Sequence, residues 1–216
     1  MINNTEETHV LQRSFRAVMD AFARPGSIGA LEAQSGKGAM RALPPYFETV
    51  VRMFVDQAVS YAVCTRDPQS LARAVAMETH SHLADAGQAD YLLLPEADDA
   101  AFCEQAVLAA KGGTLLEPEQ SAVVVIAAGK LSALPQQGLE EVVLEGPGIE
   151  KRIVFYTSCF SWIDAREKRG DEYPCGIDIL LVDAEGAIVA VPRTSHVVAS
   201  GPAVREGSIA DQVRGE

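Results

Sequence analysis

Apolar residues recur at helical spacing through Val10, Leu11, Phe15, Val18, Met19 and Phe22, and Pro25-Gly26 closes the stretch, so the chain is expected to begin with an amphipathic helix. A short strand is expected near Ile28 to Ala33. Pro44-Pro45 opens a helix through about Asp56, and Val59 to Cys64 has the composition of a strand. Asp67-Pro68 pairs an N-cap residue with proline at the first helical position, starting a helix through about Glu78. Tyr91 to Leu94 predicts a strand, and a helix from about Asp98 to Ala110 ends at Lys111-Gly112-Gly113. Ala122 to Ala128 is continuously apolar, as a strand buried on both faces should be. Strands at Glu141 to Leu144 and Ile153 to Tyr156 flank Gly146-Pro147-Gly148, and a helix near Phe160 to Arg169 follows. This alternation predicts an α/β fold, a mixed β-sheet covered by helices on both faces.

The last apolar runs are the most informative. Ile177 to Val182 and Ala187 to Val191 flank the turn signal Asp183-Ala184-Glu185-Gly186, which predicts a buried antiparallel hairpin. Pairing should end at Pro192, which cannot donate to a ladder. Beyond it, Arg193, Thr194, Ser195 and His196 offer a guanidinium, two hydroxyls and an imidazole, a set suited to the oxygens of a phosphate or phosphonate. A structural reading competes. If Val182 pairs with Ala187, Asp178 sits opposite Val191 and diagonal to Arg193, so the two charges would partner each other. His196 alone is an ordinary loop residue.

The chain has 216 residues, 48% of them hydrophobic, so it can bury a substantial core. No linker, repeat or low-complexity block divides it, which predicts one domain over residues 1–199 and a carboxyl-terminal extension over 200–216. A net charge of −12 without a basic patch disfavours nucleic acid and anionic membranes as partners. The start, Met1 to Glu7, lacks the features of an export signal, and no segment has the length and apolarity of a membrane span, so a cytoplasmic protein is expected. Cys64, Cys103, Cys159 and Cys175 form neither a redox pair nor a zinc spacing, as expected of reduced core thiols. Cys175, beside Gly176 at the mouth of the hairpin, is the one with a chance of exposure.

Other sites are weak. Gly36-Lys37-Gly38 lacks the upstream glycine and the Ser or Thr of a phosphate loop, and Gly146-Pro147-Gly148 lacks dinucleotide-site spacing. His80 and His82 have no third ligand nearby, so they are expected to form a solvated helix end and no metal is expected. Glu96, Asp98 and Asp99 are explained by a helix start, where carboxylates complement the dipole.

The combination of Gln12-Arg13-Ser14-Phe15-Arg16, Arg24-Pro25-Gly26, Gly146-Pro147-Gly148-Ile149, Tyr173-Pro174-Cys175-Gly176-Ile177-Asp178 and Pro192-Arg193-Thr194-Ser195-His196 resembles the H subunit of the bacterial carbon-phosphorus lyase system, the PhnH family. The resemblance runs from about Leu11 to Val198, and between Gly36 and Gly138 it rests on element order. Tyr173 stands where phenylalanine is usual and Ser195 where threonine is usual. The His80 and His82 pair is not a family feature.

The resemblance implies a fold like the large domain of pyridoxal-phosphate transferases without the cofactor or its lysine, and a homodimer. It also implies partnership with the G, I and J subunits, in an assembly that links a phosphonate to the ribose of a nucleoside triphosphate and displaces adenine, a step credited to the I subunit. The chain is then expected to be a noncatalytic subunit, inactive alone. The candidate anion site comprises Arg193, Thr194, Ser195, His196, Asp178 and Arg24, with Arg152 as an alternative helper. Two alternatives stand beside this one. One is a freestanding homodimeric binder of a small phosphorylated or phosphonate metabolite. The other is a pyridoxal-phosphate enzyme, for which Lys130, just after a buried strand, is the best-placed of Lys37, Lys111, Lys130, Lys151 and Lys168.

Overall fold

The computed structural model describes residues 4–33, 38–96 and 100–202. Its helices are α1 (Asn4–Ala23), α2 (Pro45–Phe54), α3 (Pro68–Thr79), α4 (Ala100–Ala109) and α5 (Ser161–Arg169). Its strands are β1 (Gly29–Ala30), β2 (Ser60–Val63), β3 (His82–Leu83), β4 (Tyr91–Leu94), β5 (Val123–Ala127), β6 (Leu131–Ser132), β7 (Glu140–Glu145), β8 (Ile153–Thr157), β9 (Asp178–Val182), β10 (Ala187–Val191) and β11 (His196–Pro202). The expected elements are present with small changes at their ends. Asp98 and Asp99, at the expected start of α4, lie outside the described residues, as do Gly36, Lys37 and residues 203–216 of the expected extension. Among the described residues no helix is long and apolar enough to cross a membrane.

A seven-stranded sheet in the order β1-β10-β9-β5-β4-β2-β3 forms the centre. Strands β9, β5, β4, β2 and β3 are parallel, while β10 and β1 add an antiparallel margin. The chain leaves β2 outward through α3 to β3, and leaves β4 in the other direction through α4 to β5. The order therefore reverses between β2 and β4, the position whose carboxyl end commonly holds ligands in open α/β sheets.

Helices α1, α2 and α3 cover one face, where Val18, Phe47, Val51 and Val75 pack on Leu93, Val125, Leu180 and Ile188. The other face differs from the expectation of helices alone. It carries α4 and α5 together with a four-stranded antiparallel sheet in the order β11-β7-β8-β6. Val142, Leu144 and Phe155 of this second sheet join the core beneath it, while Glu141 and Glu145 remain partly exposed. A sheet with one dry and one wet face needs only one apolar set per strand, so two of the strands expected in a single sheet pack instead as a separate layer. Strand β11 runs past Ala199 to Pro202 and pairs with β7 from Glu145 back to Glu140, so the expected boundary at residue 199 falls inside a strand.

The hairpin register is one residue off the expected one. Val182 pairs with Ile188, not Ala187, and Val191 pairs with Ile179. Asp183 causes this, because its amide donates to the Ala187 carbonyl at 2.9 Å and its Oδ1 accepts the amides of Glu185 and Ala187, both at 2.8 Å. The turn thereby takes one more residue, and Asp178 comes level with Pro192 instead of Val191.

Candidate functional site

Pro192 ends β10 as expected, and Pro192 to Ser195 make a tight turn in which the Ser195 amide donates to the Pro192 carbonyl at 2.9 Å. The turn lies at the amino ends of the parallel strands, because β10 runs against them. Here a cleft of about 390 Å³ opens between α5, the loop over residues 170–177 and the start of β11. Arg166, Asp171, Cys175, Arg193, Ser195 and His196 are on its wall.

The structure assigns different work to the residues expected to form an anion site. The Asp178 carboxylate, at the start of β9, accepts the backbone amide of Arg193 at 2.7 Å and does not pair with the Arg193 guanidinium. The Arg193 guanidinium turns instead to the Pro118 carbonyl and the Ser121 hydroxyl, fastening the 3-10 turn Pro118–Gln120 to the hairpin end. It nevertheless keeps a place on the cleft wall. Thr194 is half-buried and its carbonyl faces Gly146, where a Cβ would come within 2.8 Å of it. Ser195 is 1% exposed, and its Oγ has no hydrogen-bond partner among the described residues. His196 is exposed at the rim and opens β11.

Arg24 is not brought to this cleft. It sits in a separate depression with Ser27, Gly148, Lys151 and Arg152, and pairs with Asp20 at 3.2 Å. Arg152, the alternative helper, is in the same depression and pairs with Glu145. The depression exists because a Cβ on Gly148 would meet the Ala23 carbonyl at 2.8 Å, so only glycine lets the second sheet approach the end of α1 so closely. Segments far apart in sequence thus rest on one another: Arg24-Pro25 on Gly148, Gly146 on Thr194 and Ser195, Arg193 on Asp178.

Arg166 was not singled out by sequence reasoning. It lies on α5 next to the buried stripe of Trp162, Ile163 and Ala165, at three and four residues from Ile163 and Trp162. A charge on the apolar side of an amphipathic helix was the available signal. Its Nη2 donates to the same Pro192 carbonyl that the Ser195 amide uses, at 2.8 Å, and its other donors have no partner among the described residues. Burial pushes its pKa down, while the charges of Asp178 and Asp171 act to raise it. Asp171 is itself committed to Arg169, whose Nε donates to it at 2.6 Å. Arg169 also donates to the carbonyls of Val107 and Ala110 at 2.7 Å, so it serves as the carboxyl-terminal tie of α4.

The remaining candidates have local explanations. Lys130 lies beyond the carboxyl end of β5 and pairs with Glu185 at 2.5 Å. The hydrogen bond with Glu185 raises its pKa, the opposite of what an amine needs to attack a carbonyl. His80 takes a left-handed conformation at φ 58° and caps α3 through its amide, which fits the expected helix end, whereas His82 lies beyond it, exposed in β3 and paired with β2. No group of three or more potential metal ligands occurs among the described residues. Glu96 is exposed. Cys103 and Cys159 are buried and Cys64 and Cys175 half-buried, and none of the four is in a disulfide.

A search of curated proteins returns no match. The family model for the bacterial phosphonate metabolism protein PhnH matches residues 3–198, nearly the whole chain. The chain belongs to the PhnH family of bacterial phosphonate metabolism.

Proposed function

We propose that this protein is a noncatalytic subunit of the carbon-phosphorus lyase core complex. In that role it supports transfer of a phosphonate to the ribose of ATP with displacement of adenine, acting in the cytoplasm with the G, I and J subunits. The observation that carries this reading is the PhnH match over residues 3–198. Ser195, Cys175 and His196 all border the cleft, and Ser195 Oγ has no hydrogen-bond partner among the described residues. A homodimer fits the reading, with Phe15 and Met19 as exposed apolar side chains one turn apart on α1. The fold in this reading derives from the large domain of pyridoxal-phosphate transferases, with the cofactor's role lost.

The test is adenine release from ATP and a phosphonate by the G and I subunits, with and without this chain. Release only when the chain is present, and none from the chain alone, is expected. Equal release without it overturns the supporting role, and release by the chain alone makes it an enzyme. The second reading is a freestanding homodimer that binds a small phosphorylated or phosphonate metabolite, and the polar cleft favours it. It predicts that the chain is not retained by the other subunits in a pull-down.

A further inference from the structure

We infer that the cleft between α5 and β11 binds a compact tetrahedral oxyanion, a phosphonate or phosphate group, through the guanidinium of Arg166 and the hydroxyl of Ser195. Two independent observations meet at one point. A buried hydroxyl without a partner is rare in folded proteins and calls for an explanation, and Ser195 Oγ is such a group at 1% exposure. Arg166 is half-buried, with one donor on the Pro192 carbonyl and the others without a hydrogen-bond partner among the described residues, so its guanidinium has capacity left for an anion. Both residues are tied to that carbonyl, the arginine through Nη2 at 2.8 Å and the serine through its amide at 2.9 Å, and both line the cleft. One anion with several oxygens satisfies both.

The surroundings fit such a ligand. Asp178 is engaged by the Arg193 amide and Asp171 by Arg169, so the nearest carboxylates already have donors. Asp164 and Glu167 also border the cleft, and both are exposed on α5, where water screens them. Buried Ile163 and Ile177 supply an apolar wall, suited to the short carbon substituent that distinguishes a phosphonate from free phosphate. Arg193 acts here as scaffold, since its Nη1 is spent on Pro118 and Ser121. The preference for a tetrahedral anion over a planar carboxylate rests on the phosphonate reading above; the pairing of Arg166 with Ser195 does not.

The experiment is calorimetric titration of the full chain with methylphosphonate, inorganic phosphate and acetate, with thermal melting of every variant. Saturable binding of methylphosphonate is expected, with Kd on the order of 1 mM or tighter. Ser195→Ala should weaken it about tenfold while the unliganded melting temperature holds or rises, because the change removes an unsatisfied buried group. Arg166→Lys keeps the charge and a donor for Pro192 but loses the planar fork, so it should weaken binding at least as much with the fold retained. Binding of phosphate equal to that of methylphosphonate identifies the phosphoryl oxygens as the recognised feature, and tighter binding of methylphosphonate adds the apolar wall. Absence of saturable binding to the wild-type chain overturns the site. Undiminished binding in Ser195→Ala overturns the assignment, and preference for acetate overturns the ligand class. Adenine release that still requires the chain under any of those results leaves the subunit reading intact, which separates the two failures.

Discussion

The two ends of the central sheet are built on opposite principles. At the carboxyl ends of the parallel strands, where ligands are commonly found in open α/β sheets, the groups near the hairpin satisfy one another. Asp183 is 3% exposed and accepts three backbone amides, those of Leu131, Glu185 and Ala187, while Lys130 is closed onto Glu185. At the amino ends, Ser195 is buried and Arg166 half-buried, each with donors left over among the described residues. The lesson is that residue type is a poor guide to which polar group serves a ligand. What separates Asp183 from Ser195 is whether the local backbone already uses the side chain's hydrogen-bonding capacity.

The largest effect should come from Asp183→Ala, which orphans three amides at the closed end. A loss of about 3 kcal/mol or more is expected, read from urea denaturation, with the cleft damaged only through global instability. A loss below about 1 kcal/mol would mean that this end is less closed than its hydrogen bonds indicate.

Gly146→Ala is the next test. It places a Cβ within 2.8 Å of the Thr194 carbonyl and 3.0 Å of Ser195 Cα, at a φ of 146° that side chains rarely adopt. A destabilisation of about 2 kcal/mol is expected, because backbone contacts have little freedom to give. Anion binding should fall with it if the cleft depends on the position of the turn at 192–195.

The thiols report on both ends at once. Cys175 lies on the open cleft, whereas burial pushes the Cys64 thiol, which follows β2 at the other end, up to about 11. At about pH 8 only about one Cys64 in a thousand is a thiolate, so a disulfide reagent should label Cys175 first. Cys175→Ser should remove the fast phase, and methylphosphonate should slow it. Persistence of the fast phase in that variant would place the reactive thiol elsewhere. Cys64 also links to stability. Its folded value lies above the ordinary 9.0, so its contribution is fully present below about pH 9 and is lost as pH rises through about 11. Stability curves of Cys64→Ala should be flatter than wild type over that window.

The smallest effect is expected at Lys130→Ala. The Lys130–Glu185 pair is solvent-accessible, with Glu185 74% exposed, so melting should hardly change. A marked loss of stability would show that the pair helps close this end of the sheet.

Much of the element plan was readable because it depends on local signals. Pro68 after Asp67, the unbroken run in β5 and Pro192 after β10 act through backbone geometry and burial that neighbours in sequence determine. The strand at Tyr91–Leu94 has the expected bounds for the same reason. The hairpin register needed the side chain of Asp183, whose choice between turn hydrogen bonds and solvent is not a matter of pattern. The separate second sheet needed the pairing of β7 with β11, residues more than fifty positions apart.

The site divides in the same way. By itself the sequence determined that a polar segment follows a buried hairpin at one end of a sheet, and it supplied Arg193, Ser195 and His196, all of which line the cleft. Only tertiary structure decided that Arg193 is spent on Pro118 and Ser121, that Arg24 lies in another depression, and that Arg166 arrives from α5 to meet Ser195 at the Pro192 carbonyl. The physical reason is that burial and backbone spacing are set by near neighbours, whereas the partner of a long charged side chain is set by whichever element the folded chain carries within its reach.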